Sequence, residues 1–254
     1  MSTPRLVGRG SSRALGVTLV DGGVNVAVFS THATRISLCL FDESGCQETA
    51  RIALPYRSGD VWHGEIAGIG AGQLYGLRAD GPYAPEQGHR FNENKLLLDP
   101  YARKITGQPI WDDALFGYVR GQDHTSFDTR DSAPFMPKCV VVPPPGRGTR
   151  CRVPMEDTIL YEAHIKGLTA LRRDVDVPGT LSAQTAPPVI DHIKGLGVTS
   201  VELLPLQAFV NDRFLVEQGL TNYWGYQTIG FFAPDPRYLS RDCLLYTSPS
   251  PRDS

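Results

Sequence analysis

The segment Leu220–Tyr238, LTNYWGYQTIGFFAPDPRY, gathers Tyr223, Trp224, Tyr226, Phe231, Phe232 and Tyr238, in a chain that is only 9% aromatic. Flat rings beside Gly and Pro suit one kind of chemistry well. One face of a pyranose is lined with C–H groups that pack on a π-surface, and neighbouring Asn211, Asp212, Arg213, Thr221 and Asn222 can bond sugar hydroxyls. The same rings can form core or a protein interface, and in most loops Trp and Phe anchor the loop against its scaffold. From composition alone, anchoring is the favoured reading.

Hydrolysis of a glycoside with retention needs two carboxyl groups about 5 Å apart, one a nucleophile and one an acid/base. Glu162, Asp191, Glu202, Asp212 and Glu217 are available, but no pair among them has a spacing that suggests this geometry. They read as solvated or structural acids. The five cysteines, Cys39, Cys46, Cys139, Cys151 and Cys243, form no CxxC pair and match no histidine spacing. Reduced structural thiols in a cytoplasmic protein are expected, with no metal and no cofactor.

The elements that must position these groups are those of an ordinary globular chain. At 254 residues it can bury a substantial core. A net charge of -2 gives no electrostatic reason to expect nucleic acid or a membrane surface as partner. No apolar run approaches the ~18 residues of a spanning helix, and MSTPRLVGRGSSR lacks the apolar core of a signal peptide.

Two periodicities divide the chain. VNVAVFS follows the turn signal Asp21-Gly22-Gly23, and RISLCLF alternates Ile36, Leu38 and Leu40 against Ser37 and Cys39, as a half-buried strand does. VWHGEIAGI and QLYGLRADGPY add two more strands, and the set predicts an antiparallel β-sandwich. The run Pro143-Pro144-Pro145 marks the boundary, giving a sandwich over 1–145. Beyond it a buried strand is predicted from Thr158 to Ile165. A helix follows with Pro187 and Pro188 in its first turn, Val189, Ile190, Ile193 and Leu196 on one face, and Gly197 at its end. VTSVELLP then supplies a second strand, parallel to the first. In parallel α/β folds chemistry gathers beyond the C-terminal strand ends, so the segment Leu206–Gln227 is read as a loop on that face.

TILYEAHIKGLT, GVTSVELLPLQAFVNDR and GLTNYWGYQTIGFFAPDPRY together resemble the opening of the α-amylase superfamily barrel. The likeness is greatest to bacterial glycogen debranching enzymes of the isoamylase type, in glycoside hydrolase family 13. GVTLVDGGVNVAVFSTHATRISLCLFD and the stretch from Trp62 to Arg103 resemble the N-terminal carbohydrate-binding-like, immunoglobulin-like sandwich of the same enzymes. The resemblance implies a sandwich followed by the truncated start of a (β/α)8 TIM barrel over 146–240. It also implies hydrolysis of α-1,6-glucosidic branches of glycogen or limit dextrin, with an α-glucan as partner. Tyr226 matches the tyrosine that stacks on the sugar beside the cleaved bond, and Trp224 and Asn222 shape the same wall. His164, on the first strand with Tyr161 and Glu162, joins the candidate substrate contacts, although a lone histidine on a strand is more often a satisfied structural residue. Trp62 either stacks glucan or packs as a landmark of the sandwich.

The family's catalytic carboxylates follow later barrel strands, so no residue here is assigned a catalytic role and the chain is expected to be inactive. RDCLLYTSPSPRDS departs from the family pattern, and 241–254 reads as a non-native or disordered tail on a gene fragment. Two alternatives stay open: a non-catalytic α-glucan-binding protein, and a piece of a related branching or trehalose-releasing enzyme.

Overall fold

The computed structural model describes residues 4–144, 146 and 152–240. The tail reading for 241–254, together with Pro145, Cys151 and Cys243, lies outside the described residues. The chain divides into two compact units between Pro144 and Pro145, with Gly230–Ala233 grouped with the first.

In the first unit, β1 (Arg5–Gly8), β2 (Gly16–Val20), β3 (Gly23–Phe29), β6 (Tyr56–Ser58) and β7 (Val61–Ala67) form one sheet. Its order is β1-β7-β3-β2, with β6 also on β7. The second sheet is β11-β8-β4-β5, from β4 (Arg35–Phe41), β5 (Glu48–Ala53), β8 (Leu74–Asp80) and β11 (Cys139–Val140). All these pairings are antiparallel. Val20 faces Gly23 in the β2–β3 register, which leaves the two-residue Asp21-Gly22 loop that a tight hairpin favours. A short hairpin, β9 (Tyr83–Ala84) with β10 (His89–Arg90), follows β8.

One expectation fails instructively here. β4 is not half-buried: Ile36, Leu38 and Leu40 are buried on one face, and Ser37, Cys39 and Phe41 are buried on the other. The largely irregular chain from about Asn92 to Met136 supplies the second cover, through Leu96, Ala133 and Met136 packed on Cys39 and Phe41. Gly76, the cross-strand partner of Cys39, makes this approach possible, since a Cβ there would meet the Leu96 side chain at 2.7 Å. Burial pushes the Cys39 thiol up to about 12, so it behaves as an apolar filler.

An irregular segment must find partners for its backbone carbonyls. Three buried cations provide them. Lys95 donates to the carbonyls of Ala114 and Arg130 at 2.8 Å and to Asp128 at 2.9 Å. Arg78 binds the Glu93 carbonyl and the carboxylates of Glu48 and Asp131. Lys138 donates to the Ala133 carbonyl at 2.7 Å and lies over the Phe41 ring.

In the second unit, β12 (Leu160–Ala163) and β13 (Ser200–Leu203) pair in parallel. Between them run α1 (Ile165–Thr169), α2 (Leu181–Gln184) and α3 (Pro187–Gly195). The two prolines occupy the first turn of α3, and Val189 and Ile193 are its buried face. Leu196 falls at the C-cap and is exposed, so the predicted apolar face is one residue shorter. The strand predicted over Thr158–Ile165 is also shorter, and Ile159, Leu160 and Glu162 are exposed, because its sheet has two strands. Leu206–Gln227 is not wholly loop: it holds β14 (Gln207–Phe209), which pairs with β15 (Thr228–Pro234), and α4 (Arg213–Glu217).

Replacing Lys95 by Met is expected to lower stability by about 3 kcal/mol, since it leaves Asp128 buried beside unpartnered carbonyls. A thermal melt against wild type measures this. Hydrogen bonds from Arg130, then from Lys95, hold the Asp128 carboxyl well below the usual carboxylate range. Its contribution is therefore complete above about pH 4 and is lost as acid protonates it. The loss of melting temperature between pH 5 and pH 2 should be smaller in Asp128→Asn than in wild type.

Candidate functional site

The aromatic segment is split by the fold. Tyr223, Trp224 and Tyr226 lie on the loop between α4 and β15, Phe231 and Phe232 on β15, and Tyr238 in a buried turn. Tyr238 belongs to a small core with Ile165 and Phe209, against which Leu181, Leu203 and Leu206 pack. Anchoring and presentation are thus divided between different rings of one stretch.

The loop is held by polar groups the sequence reading had offered to a ligand. Asn222 accepts the Gly225 amide on its side-chain oxygen, and its own amide donates to the Asn211 side-chain oxygen, each at 3.0 Å. That same Asn211 oxygen accepts Arg237 at 2.9 Å. Arg237 also grips Asp235 and the Phe209 carbonyl, and its guanidinium lies 3.8 Å from the Phe209 ring centre. Asp235 is fully buried and accepts the Phe209 and Arg237 amides. The Gln227 side chain donates to Asp212, and the Val210 amide to the Gln227 carbonyl. Sequence reading missed this cradle; an Asp before a Pro and an Arg, in Asp235-Pro236-Arg237, is its only local signal, that of a capped turn.

His164 is a structural link. Its Nδ1 accepts the Gly167 amide at 3.2 Å as the N-cap of α1, so a neutral ring carries its proton on Nε2. That proton points to the Tyr223 carbonyl at 2.8 Å, and the imidazole stacks on the Tyr223 ring with centroids 4.1 Å apart. Both ring nitrogens are therefore occupied by backbone groups. Of the other candidates, Tyr161 is half-buried on β12, and Glu162 stands in register with Glu202 across the parallel pair. Those two acids share one sheet face. Trp62 lies in the first unit, where Arg57 covers its ring and its indole donates to the Ser30 carbonyl, so it is packed.

What the cradle presents is a pair of rings. Trp224 is 61% exposed and Tyr226 67%, with centroids 6.4 Å apart and planes tilted by 33°. Gly225 between them sits at φ +83, and a Cβ there would lie 3.0 Å from the Pro205 carbonyl and 3.2 Å from the Phe209 ring. The tight backbone turns both rings outward. A tilted aromatic pair edged by the Asn222 side-chain NH2 can hold a ligand with apolar faces and hydroxyl edges. Among the described residues no group of His, Cys, Asp and Glu has a metal-holding arrangement.

Gly225→Ala should lower the unfolding free energy by about 1–2 kcal/mol for the left-handed backbone alone, with more for the contact. Gly195→Ala, in α3 with open space around it, should instead stabilise by about 0.5–1 kcal/mol. Urea melts of the two variants check both signs.

Residues 14–102 match the carbohydrate-binding module 48 (isoamylase N-terminal domain). The glycogen debranching enzyme of Yersinia pseudotuberculosis is 42% identical over 242 residues, covering 91% of this chain and 35% of that enzyme. That of Yersinia enterocolitica is 42% identical over 236 residues with the same coverage. In fold, the chain is similar to the catalytic module of the glycogen-degrading pneumococcal virulence factor SpuA, at TM-score 0.64 and 23% identity, covering 91% of this chain and 33% of that one. It is also similar to a pullulanase from Anoxybacillus solved with maltotetraose, at TM-score 0.60 and 20% identity, covering 89% and 30%. The chain spans about a third of the length of the curated relatives it matches. Residues 14–102 thus carry an isoamylase-type N-terminal module, and over 91% of its length the chain is similar to bacterial glycogen debranching enzymes.

Proposed function

We propose that this chain is the N-terminal part of an enzyme that hydrolyses α-1,6-glucosidic branches of glycogen or limit dextrin. The observation that carries the reading is the Trp224–Tyr226 pair, held outward on a braced loop in a chain 42% identical to glycogen debranching enzymes. In this reading β12, the helices after it and β13 open a (β/α)8 barrel over 146–240, the sandwich occupies 1–145, and the loop after β13 lies at the barrel's substrate face. Tyr226 stacks on the sugar next to the cleaved bond, Trp224 continues that wall, and the Asn222 amide reaches a hydroxyl.

The chemistry in this reading is retaining hydrolysis by two carboxyl groups on opposite sides of the scissile bond. Glu162 and Glu202 are given no catalytic role, because both are solvent-exposed within their strands and not on the loops beyond the strand ends where sites are built. Nucleophile and acid/base are therefore assigned outside the described residues, and His164 acts by positioning Tyr223. Free, buried Cys39 and Cys139 thiols support a reducing, cytoplasmic setting.

In a longer enzyme containing this segment, Tyr226→Ala should lower kcat/KM on a branched dextrin about tenfold or more. Phe214→Ala, equally exposed on α4, should change it less than twofold. Equal losses would return Tyr226 to a packing role. The 254 residues alone should release no reducing ends from pullulan above a heat-killed control.

A further inference from the structure

The first unit contains a second array of aromatic rings that the debranching reading does not use. Between the β9–β10 hairpin with the irregular stretch Phe91–Leu97 after it and the turn Leu115–Tyr118 runs an open, mostly apolar groove of about 610 Å³. That is within the ~300–1,000 Å³ typical of small-ligand sites. One wall is Tyr83, Phe91 and Leu97; the other is Phe116 and Tyr118. The first wall lies inside the stretch that matches the carbohydrate-binding module, and the second lies beyond its last residue, 102. The groove therefore belongs to the module and its irregular cover together.

Three features fit it to a neutral sugar chain. The second wall is rigid. Trp111 stacks on Phe116 at 6.4 Å, Arg120 lies over the Phe116 ring at 5.3 Å, and Phe116 meets Tyr118 edge-on at 5.7 Å. The floor carries no unmatched charge: the Lys95 ammonium is neutralised by Asp128, and the Asn92 amide donates to the Asp128 carbonyl. Nothing there recognises an anion deep in the groove. At the rim, the Tyr118 hydroxyl has no protein partner among the described residues. Exposed Arg90 makes a single 3.3 Å bond to the His124 carbonyl. Apolar ring walls with free donors at the edge match the C–H faces and hydroxyl edges of a glucose polymer.

We propose that this groove is a second α-glucan-binding site, in which Tyr118 and Phe91 stack on glucose units and Arg90 binds hydroxyls at the rim. The choice of a glucan rests on the debranching reading, while the site is separate from the Trp224–Tyr226 pair. Its role is to hold a glucan chain by a neutral, multi-ring contact that requires no catalysis.

The test uses the whole 254-residue chain, titrated calorimetrically with maltoheptaose, with each variant's melting temperature measured alongside. Tyr118→Ala should weaken binding about tenfold and Tyr118→Phe only two- to threefold, because the ring stays and only the hydroxyl goes. Phe29→Ala, an exposed ring on β3 outside the groove, should change it less than twofold. Binding by Tyr118→Ala within twofold of wild type, at unchanged melting temperature, overturns the groove. So does wild type that fails to bind maltoheptaose. If Trp224→Ala abolishes binding and Tyr118→Ala does not, the groove fails while the debranching reading stands. Should Tyr118→Ala melt early, the exposed Arg90→Ala decides: a three- to fivefold loss supports the site, and an unchanged titration overturns it.

Discussion

Buried cations fix what would otherwise be the least determined part of this molecule. The chain from Asn92 to Met136 has almost no regular hydrogen-bonded ladder of its own, yet it covers the Cys39–Phe41 part of one face of the β4–β8 sheet. An uncovered carbonyl in such a place costs about 1–3 kcal/mol. Lys95, Arg78 and Lys138 reduce that cost by directing several donors each at carbonyls and carboxylates that no strand can reach. The arrangement is demanding as well as stabilising. A cation taken out of water must have nearly all its donors matched, so Asp128, Asp131 and Glu48 are as necessary as the cations. The same Lys95 that secures the cover also forms the neutral floor of the groove beside it.

A related economy governs the second unit, at a different element. The loop after α4 presents two large rings to solvent, which hydrophobicity alone opposes. It keeps its shape because the orientation is set from below. Asp235 and Arg237 lock β14 to the turn after β15, Asn211 passes that order to Asn222, and His164 ties Tyr223 to the start of α1. Gly225 then permits the backbone reversal that separates Trp224 from Tyr226. Groups that look like ligand contacts in the sequence are in large part the bracing that keeps the Trp224 and Tyr226 rings outward. For the sugar-stacking role proposed for this pair the bracing matters directly, because a preformed platform loses little side-chain freedom on binding.

Much of this was legible in the sequence. Alternation in β4 and the Asp21-Gly22 signal carry the sandwich, and the prolines at 187 and 188 with Val189 and Ile193 carry α3. The parallel pairing of β12 with β13 follows from the helical stretch between them. These are local facts, since period, turn chemistry and helix entry are set by residues within a few positions of one another. The special standing of Tyr226 and Trp224 came from resemblance of the whole aromatic block, not from residue type.

What tertiary structure alone decided concerns partners far apart in the chain. Alternation shows that Ser37 and Cys39 share a face, but not that a segment more than fifty residues later buries it. Nothing local marks Lys95 as buried, because its matching carbonyls and carboxylate come from residues 114, 128 and 130. His164 reads as a possible ligand until Gly167 and the Tyr223 carbonyl occupy both nitrogens, and only folding brings residue 223 to residue 164. Sequence fixes periodicity because periodicity is a property of consecutive residues. Whether a polar side chain is free or already bonded depends on which distant atoms arrive beside it.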